Sequence, residues 1–214
     1  FRSSAASDVY KRQIVFKAAN LLNKADKGDI VSQKIFRIIT PLIKFRACRD
    51  VRKVAGDAME IRGGLGYIED WLDPKILRDS HLGSIWEGTS NIISLDTIRA
   101  LKKDNNLQIF KNFLIDSVKI NSEKKHKKHL LSVIDDVFYF VENEVKEDFT
   151  SSSRQITTSL YYLSSAIFLI EEGNYCEDLT YRSKISELII KYKIDENSPI
   201  TRDDIDYDLL KNLI

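Results

Sequence analysis

The chain has 214 residues, enough for one large or two small domains with a real hydrophobic core. Lysine plus arginine number 33 and aspartate plus glutamate 32, so the formal net charge of +1 gives no global argument for nucleic acid, membrane surface or acidic substrate. Cys48 and Cys176 are the only cysteines and lack CxxC spacing, which supports neither a disulfide framework nor a zinc site, and no apolar run is long enough to span a bilayer. Two reduced thiols in a cytosolic protein, without membrane insertion, are the simplest reading.

Residues 1–13 lack the apolar stretch of a signal peptide and resemble translated sequencing-adapter read-through. They are set aside, a disordered N-terminus being the alternative, and the natural sequence is expected to start near Ile14 with its true N-terminal part missing. From Ile14 to Asp26 apolar residues fall at helical spacing and stop at Gly28. Asp29 is placed to cap a long second helix with Ile35, Ile38, Leu42, Phe45, Val51, Val54 and Ala58 near one face. Pro41 should kink it or mark an earlier start, and Gly63-Gly64 should end it. A short helix is expected from Pro74 to Leu82, then one capped by Thr89 or Ser90 that runs through Ile93, Leu95, Ile98 and Leu101 to about Lys103.

Asp104-Asn105-Asn106 is the best internal boundary. Beyond it Leu131, Ile134, Phe138, Val141 and Val145 recur every three or four residues. So do Ile156, Leu160, Leu163, Ile167 and Ile170, after Ser151-Ser152-Ser153 and before a stop at Gly173. Leu179 to Tyr192 and Asp203 to Leu213 give two more helices. Strand signals are almost absent, so the fold class is all-α, with each helix carrying one apolar stripe that packs on its neighbours. Phe138, Tyr139, Phe140, Tyr161, Tyr162 and Phe168 read as core, and so does Cys48.

Two short motifs stand out. Gly63-Gly64-Leu65-Gly66 follows no predicted strand, so it is not a Rossmann or P-loop fingerprint, and alone it reads as a helix stop and tight turn. Glu87 alone reads as favourable charge near a helix N-terminus, although a carboxylate between Trp86 and Gly88 also suits a buried base. Together they carry more. Ala58-Met59-Glu60-Ile61-Arg62-Gly63-Gly64-Leu65-Gly66-Tyr67, then Leu77-Arg78-Asp79, then Ile85-Trp86-Glu87-Gly88-Thr89-Ser90-Asn91-Ile92 resembles the C-terminal helical domain of the flavin-dependent acyl-CoA dehydrogenases. The likeness spans about Ile14 to Lys103. Trp86, Asn91, Leu95-Asp96 with Arg99, and a helical extension after the bundle resemble the adaptive-response branch linked to DNA alkylation damage.

The resemblance implies an all-α C-terminal bundle over 14–104 plus a helical extension over 105–214. It implies that Glu87 is the catalytic base for α,β-dehydrogenation of an acyl-CoA, as in fatty acid metabolism. The carboxylate needs a dry, apolar pocket to raise its pKa toward the working range. The Glu87 N–H would stabilise the developing enolate, and Trp86 and Gly88 would line the substrate with it. Gly63 and Gly64 would approach the FAD of a neighbouring subunit, and Thr89 and Asn91 the FAD of their own. Expected partners are acyl-CoA, further copies in a dimer of dimers, and an electron-transfer protein. The compartment would be the cytosol, or the mitochondrion in a eukaryote.

Other residues are weighed against plainer roles. Glu60 stands where many relatives have an FAD-contacting Gln, so either Arg62 compensates its charge or it turns away. Arg78 and Asp79 read as an ion pair or cap before Glu87. His81 has no Cys, Asp or His at ligand spacing, so no metal is expected. Lys124-Lys125-His126-Lys127-Lys128-His129 is the one concentrated basic run. It makes DNA worth considering, against the plainer reading of a solvated helix start, and the acidic tail opposes it. A DNA-associated protective flavoprotein and a helical oligomerisation module are therefore the alternative functions.

Overall fold

The computed structural model describes residues 4–122, 124–146, 151–176 and 179–195, and among these no strand occurs. The helices in chain order are α1 (Ser4–Asp26), α2 (Ile30–Ile61), α3 (Gly64–Tyr67), α4 (Asp73–Leu82), α5 (Ser90–Lys102), α6 (Asn106–Asn121), α7 (Lys124–Lys146), α8 (Ser153–Tyr175) and α9 (Leu179–Lys193). The expected helix at Asp203–Leu213 and its acidic residues lie outside the described residues.

Helix α1 starts at Ser4, not at Ile14. Tyr10 and Gln13 are buried, and the Tyr10 ring meets Tyr161 and Tyr162 edge-on, with centroids 6.4 and 6.3 Å away. Lys11 pairs with Asp50 at 3.5 Å. Part of the segment set aside on sequence is therefore packed into the core. Tyr10, Ile14, Ala18 and Leu21 form one stripe at helical spacing.

Helix α2 begins at the expected cap. Asp29 Oδ1 accepts from the N–H groups of Val31 and Ser32 at 3.0 and 3.1 Å, and Oδ2 accepts from Ser32 Oγ at 2.8 Å. The helix runs through buried Pro41 without a break. Ile35, Ile38, Leu42 and Phe45 face the core as expected, but Val51, Val54 and Ala58 do not: they are exposed, and Ala55 is buried instead. At 32 residues α2 spans about 48 Å. Its neighbours include the short helices α3 and α4 that follow it in the chain.

Helix α8 departs from the single-stripe expectation. From Leu160 to Ile170 every residue is buried, Ser164 and Ser165 included. Helices α1, α2, α5, α6, α7 and α9 surround it. Two buried hydroxyls on α8 are accommodated by back-bonding, Thr157 Oγ1 donating to Ser153 O and Ser164 Oγ to Leu160 O, each at 2.7 Å, whereas Ser165 Oγ has no hydrogen-bond partner among the described residues. Gly173 does not end the helix, which continues to Tyr175.

One hydrophobic cluster includes Ile38, Leu42 and Leu101 before the 104–106 boundary and Phe110, Phe138, Tyr161 and Phe168 after it. At the boundary Asp104 and Asn105 take left-handed φ values of 48° and 60°. One aromatic and one thiol expectation need correction. Tyr139 lies on the face of α7 opposite the core and is 71% exposed, while Phe140 is partly buried and packs against the core. Cys48 is half-buried rather than core, with Gly83 beside it, and Cys176 is exposed.

Candidate functional site

The C-terminal end of α2 leads into the glycine turn. The helix stops at Ile61, and Gly63 follows with φ 59°. A Cβ on Gly63 or Gly64 would meet nothing within 4 Å, so their backbone is open to close approach. Gly66 is different: a Cβ there would lie 2.2 Å from Met59 O. The first two glycines have open space beside them, whereas the third is required by packing.

The charged residues around the turn pair differently from expectation. Arg62 Nε lies 3.3 Å from Asp73 Oδ2, and its guanidinium sits 5.2 Å from the Trp71 ring centroid. Arg62 is thus engaged elsewhere and does not neutralise Glu60. Arg78 does not pair with the adjacent Asp79. It forks onto Glu69 with bonds of 2.6 and 3.0 Å, which holds the Glu69 carboxyl below its ordinary range.

The turn carrying Glu87 follows α4. Backbone N–H groups of Ser84, Ile85 and Trp86 wind back onto His81 O and Leu82 O at 2.9 to 3.0 Å. Two side chains of α2 tie this turn down. Ser84 Oγ donates to Cys48 O at 3.0 Å, and Lys44 Nζ donates to Gly83 O at 2.7 Å and Trp86 O at 3.0 Å. Glu87 then adopts φ 57°, a left-handed conformation that costs a non-glycine residue about 1–2 kcal/mol. Gly88 continues at φ 110°, open only to glycine without strain. Glu87 is exposed and Trp86 is 66% exposed. The dry pocket expected around the carboxylate is not built by the described residues.

Helix α5 starts next to Glu87. Thr89 holds the N-cap position, yet its side chain makes no capping bond, so the first-turn N–H groups and the hydroxyl remain as donors. Asn91 is exposed, and its Oδ1 accepts from Arg154 Nε at 2.6 Å, which leaves the amide NH2 as the donor. Ser94 Oγ and Ser153 Oγ lie 3.1 Å apart in the core. Arg37 forks onto Asp96 at 2.9 and 2.7 Å and ties α5 to α2. Trp86, Glu87, Gly88, Thr89 and Asn91 thus come together on one turn and helix start, and Gly63 and Gly64 lie on a second turn. Lys44 and Arg154, which hold this arrangement, were not singled out on sequence: neither belongs to a spacing pattern.

His81 Nδ1 lies 2.9 Å from Leu77 O, and among the described residues no group of three or more His, Cys, Asp or Glu could hold a metal ion. The basic run is partly engaged within the chain: His126 Nε2 pairs with Glu187 at 2.8 Å, and Lys127 Nζ donates to Lys119 O at 2.6 Å. Among the described residues no helix is long and apolar enough to cross a membrane.

The chain is similar to known proteins over much of its length. Residues 6–102 match the family model of the acyl-CoA dehydrogenase C-terminal domain. The chain is 32% identical over 117 residues to acyl-CoA dehydrogenase family member 11 of Caenorhabditis elegans, covering 54% of this chain and 19% of that protein. It is 42% identical over 67 residues to the AidB protein of Escherichia coli, covering 31% of this chain and 12% of that one. The crystal structure of C. elegans ACDH-11 in complex with C11-CoA aligns with a TM-score of 0.72 and 26% identity, over 96% of this chain and 36% of its own. The fold is that of the all-α C-terminal domain of the acyl-CoA dehydrogenases. The alignment with ACDH-11 continues through the helices that follow residue 105.

The residues present suit a flavin dinucleotide. Gly63 and Gly64 offer open backbone, while Thr89, Asn91 and the start of α5 offer neutral donors for an oxygen-rich, anionic group.

Proposed function

We propose that this chain is the C-terminal part of an FAD-dependent acyl-CoA dehydrogenase in which Glu87 removes the α-proton of an acyl-CoA thioester. The observation that carries the reading is the Glu87 turn. A carboxylate is held at φ 57° between two tied carbonyls and the uncapped start of α5. Strain of this kind, retained on an exposed turn, is characteristic of functional positions.

Glu87 accepts the α-proton, and its own backbone N–H hydrogen-bonds the thioester carbonyl oxygen as enolate charge develops there. Trp86 and Gly88 flank the acyl chain, the indole excluding water from the carboxylate. Bound FAD supplies the acceptor for the β-hydrogen, which leaves as hydride. Thr89 and Asn91 hold the FAD of their own subunit, and Gly63 and Gly64 approach that of a neighbour, in a dimer of dimers. Ile61, Leu65 and Tyr67, which are 87%, 54% and 74% exposed beside the glycines, support a partner surface there.

Placement in the adaptive-response branch rests on Trp86, Asn91, Leu95-Asp96 with Arg99, and on the helices α6 to α9 that follow the bundle. A DNA-binding role gains less support, because His126 and Lys127 are already engaged within the chain. The chain spans 19% of the nematode protein and 12% of AidB. The surfaces that would complete the flavin and acyl pockets lie in the remainder, so the 214-residue chain alone is expected to bind FAD weakly or not at all. Anaerobic mixing of the intact holoenzyme with acyl-CoA tests the reading. Flavin should be reduced by the native protein, whereas Glu87→Gln should keep its FAD and lose the reduction. A stoichiometric yellow protein from the chain alone, or full reduction by Glu87→Gln, would overturn it.

A further inference from the structure

The Lys44 ammonium contacts two carbonyl oxygens of the turn that delivers Glu87, Gly83 O at 2.7 Å and Trp86 O at 3.0 Å. It makes no ion pair among the described residues and is half-buried against that turn. Trp86 O belongs to the same peptide unit as the Glu87 N–H. In a trans peptide the two point in opposite directions. A cation on the oxygen draws electron density across the amide and makes its N–H a stronger donor, as hydrogen bonds in a chain polarise one another.

Two further contacts place the charge with care. Ser84 Oγ binds Cys48 O at 3.0 Å, one helical turn along α2 from Lys44. Gly83 fits so closely there that a Cβ would lie 3.1 Å from Cys48 Sγ. The turn is therefore pressed onto α2 by a small residue, a hydroxyl and an ammonium group. Only the ammonium reaches the peptide next to the base.

We propose that Lys44 is a positioning residue that acts through the Trp86–Glu87 peptide, strengthening the Glu87 N–H as the donor to the thioester carbonyl. The inference rests on the reading of Glu87 as the site of α-proton removal. It assigns to α2 an electrostatic part in the reaction that the motif around Glu87 does not contain. Lys44 touches neither substrate nor cofactor in this account, and its effect polarises the bound carbonyl and grows as enolate charge develops, so it falls more on the transition state than on binding affinity.

The test uses the intact holoenzyme as wild type, Lys44→Met, Lys44→Gln and Glu87→Gln, with an acyl-CoA carrying carbon-13 at the thioester carbonyl. Difference infrared spectra read the polarisation of that carbonyl on binding. Wild type should move the stretch to lower frequency. Lys44→Met should shrink that displacement and lower kcat about tenfold with KM nearly unchanged, a fraction of the effect of deleting an oxyanion donor. Lys44→Gln keeps a neutral donor on the turn, which guards against loss of the fold, and should also lose displacement. A full wild-type displacement and kcat in either folded variant overturns the role of Lys44. If Glu87→Gln still reduces flavin at the wild-type rate, the underlying reading of the base fails instead, whatever the Lys44 variants show.

Discussion

Arg154 Nε donates to Asn91 Oδ1 at 2.6 Å, so the first turn of α8 reaches the first turn of the helix that follows Glu87. The buried hydroxyl pair Ser94–Ser153 lies beside it. The second half of the chain is thereby joined to the end of α5 that is proposed to face FAD, and it orients the Asn91 amide.

Arg154→Ala should therefore weaken FAD binding in the holoenzyme while leaving the fold intact, since the Ser94–Ser153 contact and the α8 core remain. A hydrogen bond to a charged group contributes about 1.5 kcal/mol, which is roughly a tenfold rise in dissociation constant. Flavin fluorescence titration measures it. Unchanged affinity would show that Asn91 needs no support from α8.

The glycines separate by role. Gly66→Ala places a methyl group 2.2 Å from Met59 O and should destabilise the protein by about 1–3 kcal/mol through forced movement of the turn. Gly64→Ala meets nothing within 4 Å and should leave stability nearly unchanged. Urea midpoints distinguish the two. In the intact holoenzyme Gly64→Ala should instead weaken FAD retention, because the added methyl group faces the open approach.

The common core predicts common unfolding. Phe168 is fully buried on α8, whereas Trp71 and Trp86 both lie before the 104–106 boundary. Phe168→Ala should cost about 3–5 kcal/mol. Tryptophan fluorescence and far-ultraviolet circular dichroism should shift together to lower urea. A tryptophan transition that stays in place would show that the two halves unfold independently.

The α2 cap gives a pH dependence. The Asp29 carboxyl lies below its ordinary value of 3.8, chiefly because the Ser32 hydroxyl bonds it, followed by the Ser32 N–H. A carboxyl depressed in the folded state contributes stability above its unfolded value, and that stability is lost as pH falls through the folded value. The advantage of wild type over Asp29→Asn should hold near neutral pH and shrink at and below about pH 4. An advantage independent of pH would contradict the charged cap.

Much of this architecture follows from short-range chemistry and was legible in sequence. Asp29 precedes its helix by one residue, Gly63 ends α2, and Pro74 sits in the first turn of α4. Likewise the Glu87 and glycine motifs are contiguous strings. What escaped was set by tertiary surroundings. The α8 residues Ser164 and Ser165 read as polar, yet they are buried, Ser164 through back-bonding to the preceding turn. Val51 and Val54 have apolar periodicity yet are exposed. Tyr10 extends the α1 stripe of Ile14, Ala18 and Leu21 back into the segment that resembles adapter read-through. Lys44 and Trp86 are 42 residues apart, and Asn91 and Arg154 are 63 apart, distances at which no spacing rule operates.

The central claim is that the Glu87 carboxylate takes the α-proton, and isotope exchange reads that event without requiring turnover. The intact holoenzyme incubated in D2O with an acyl-CoA should wash deuterium into the α-carbon, as mass spectrometry of the recovered thioester would show. Glu87→Gln, with FAD still bound, should lose that exchange by a factor of at least about 100, the scale of a removed general base. Exchange at the native rate in Glu87→Gln would contradict the account and place the base outside this chain's turn.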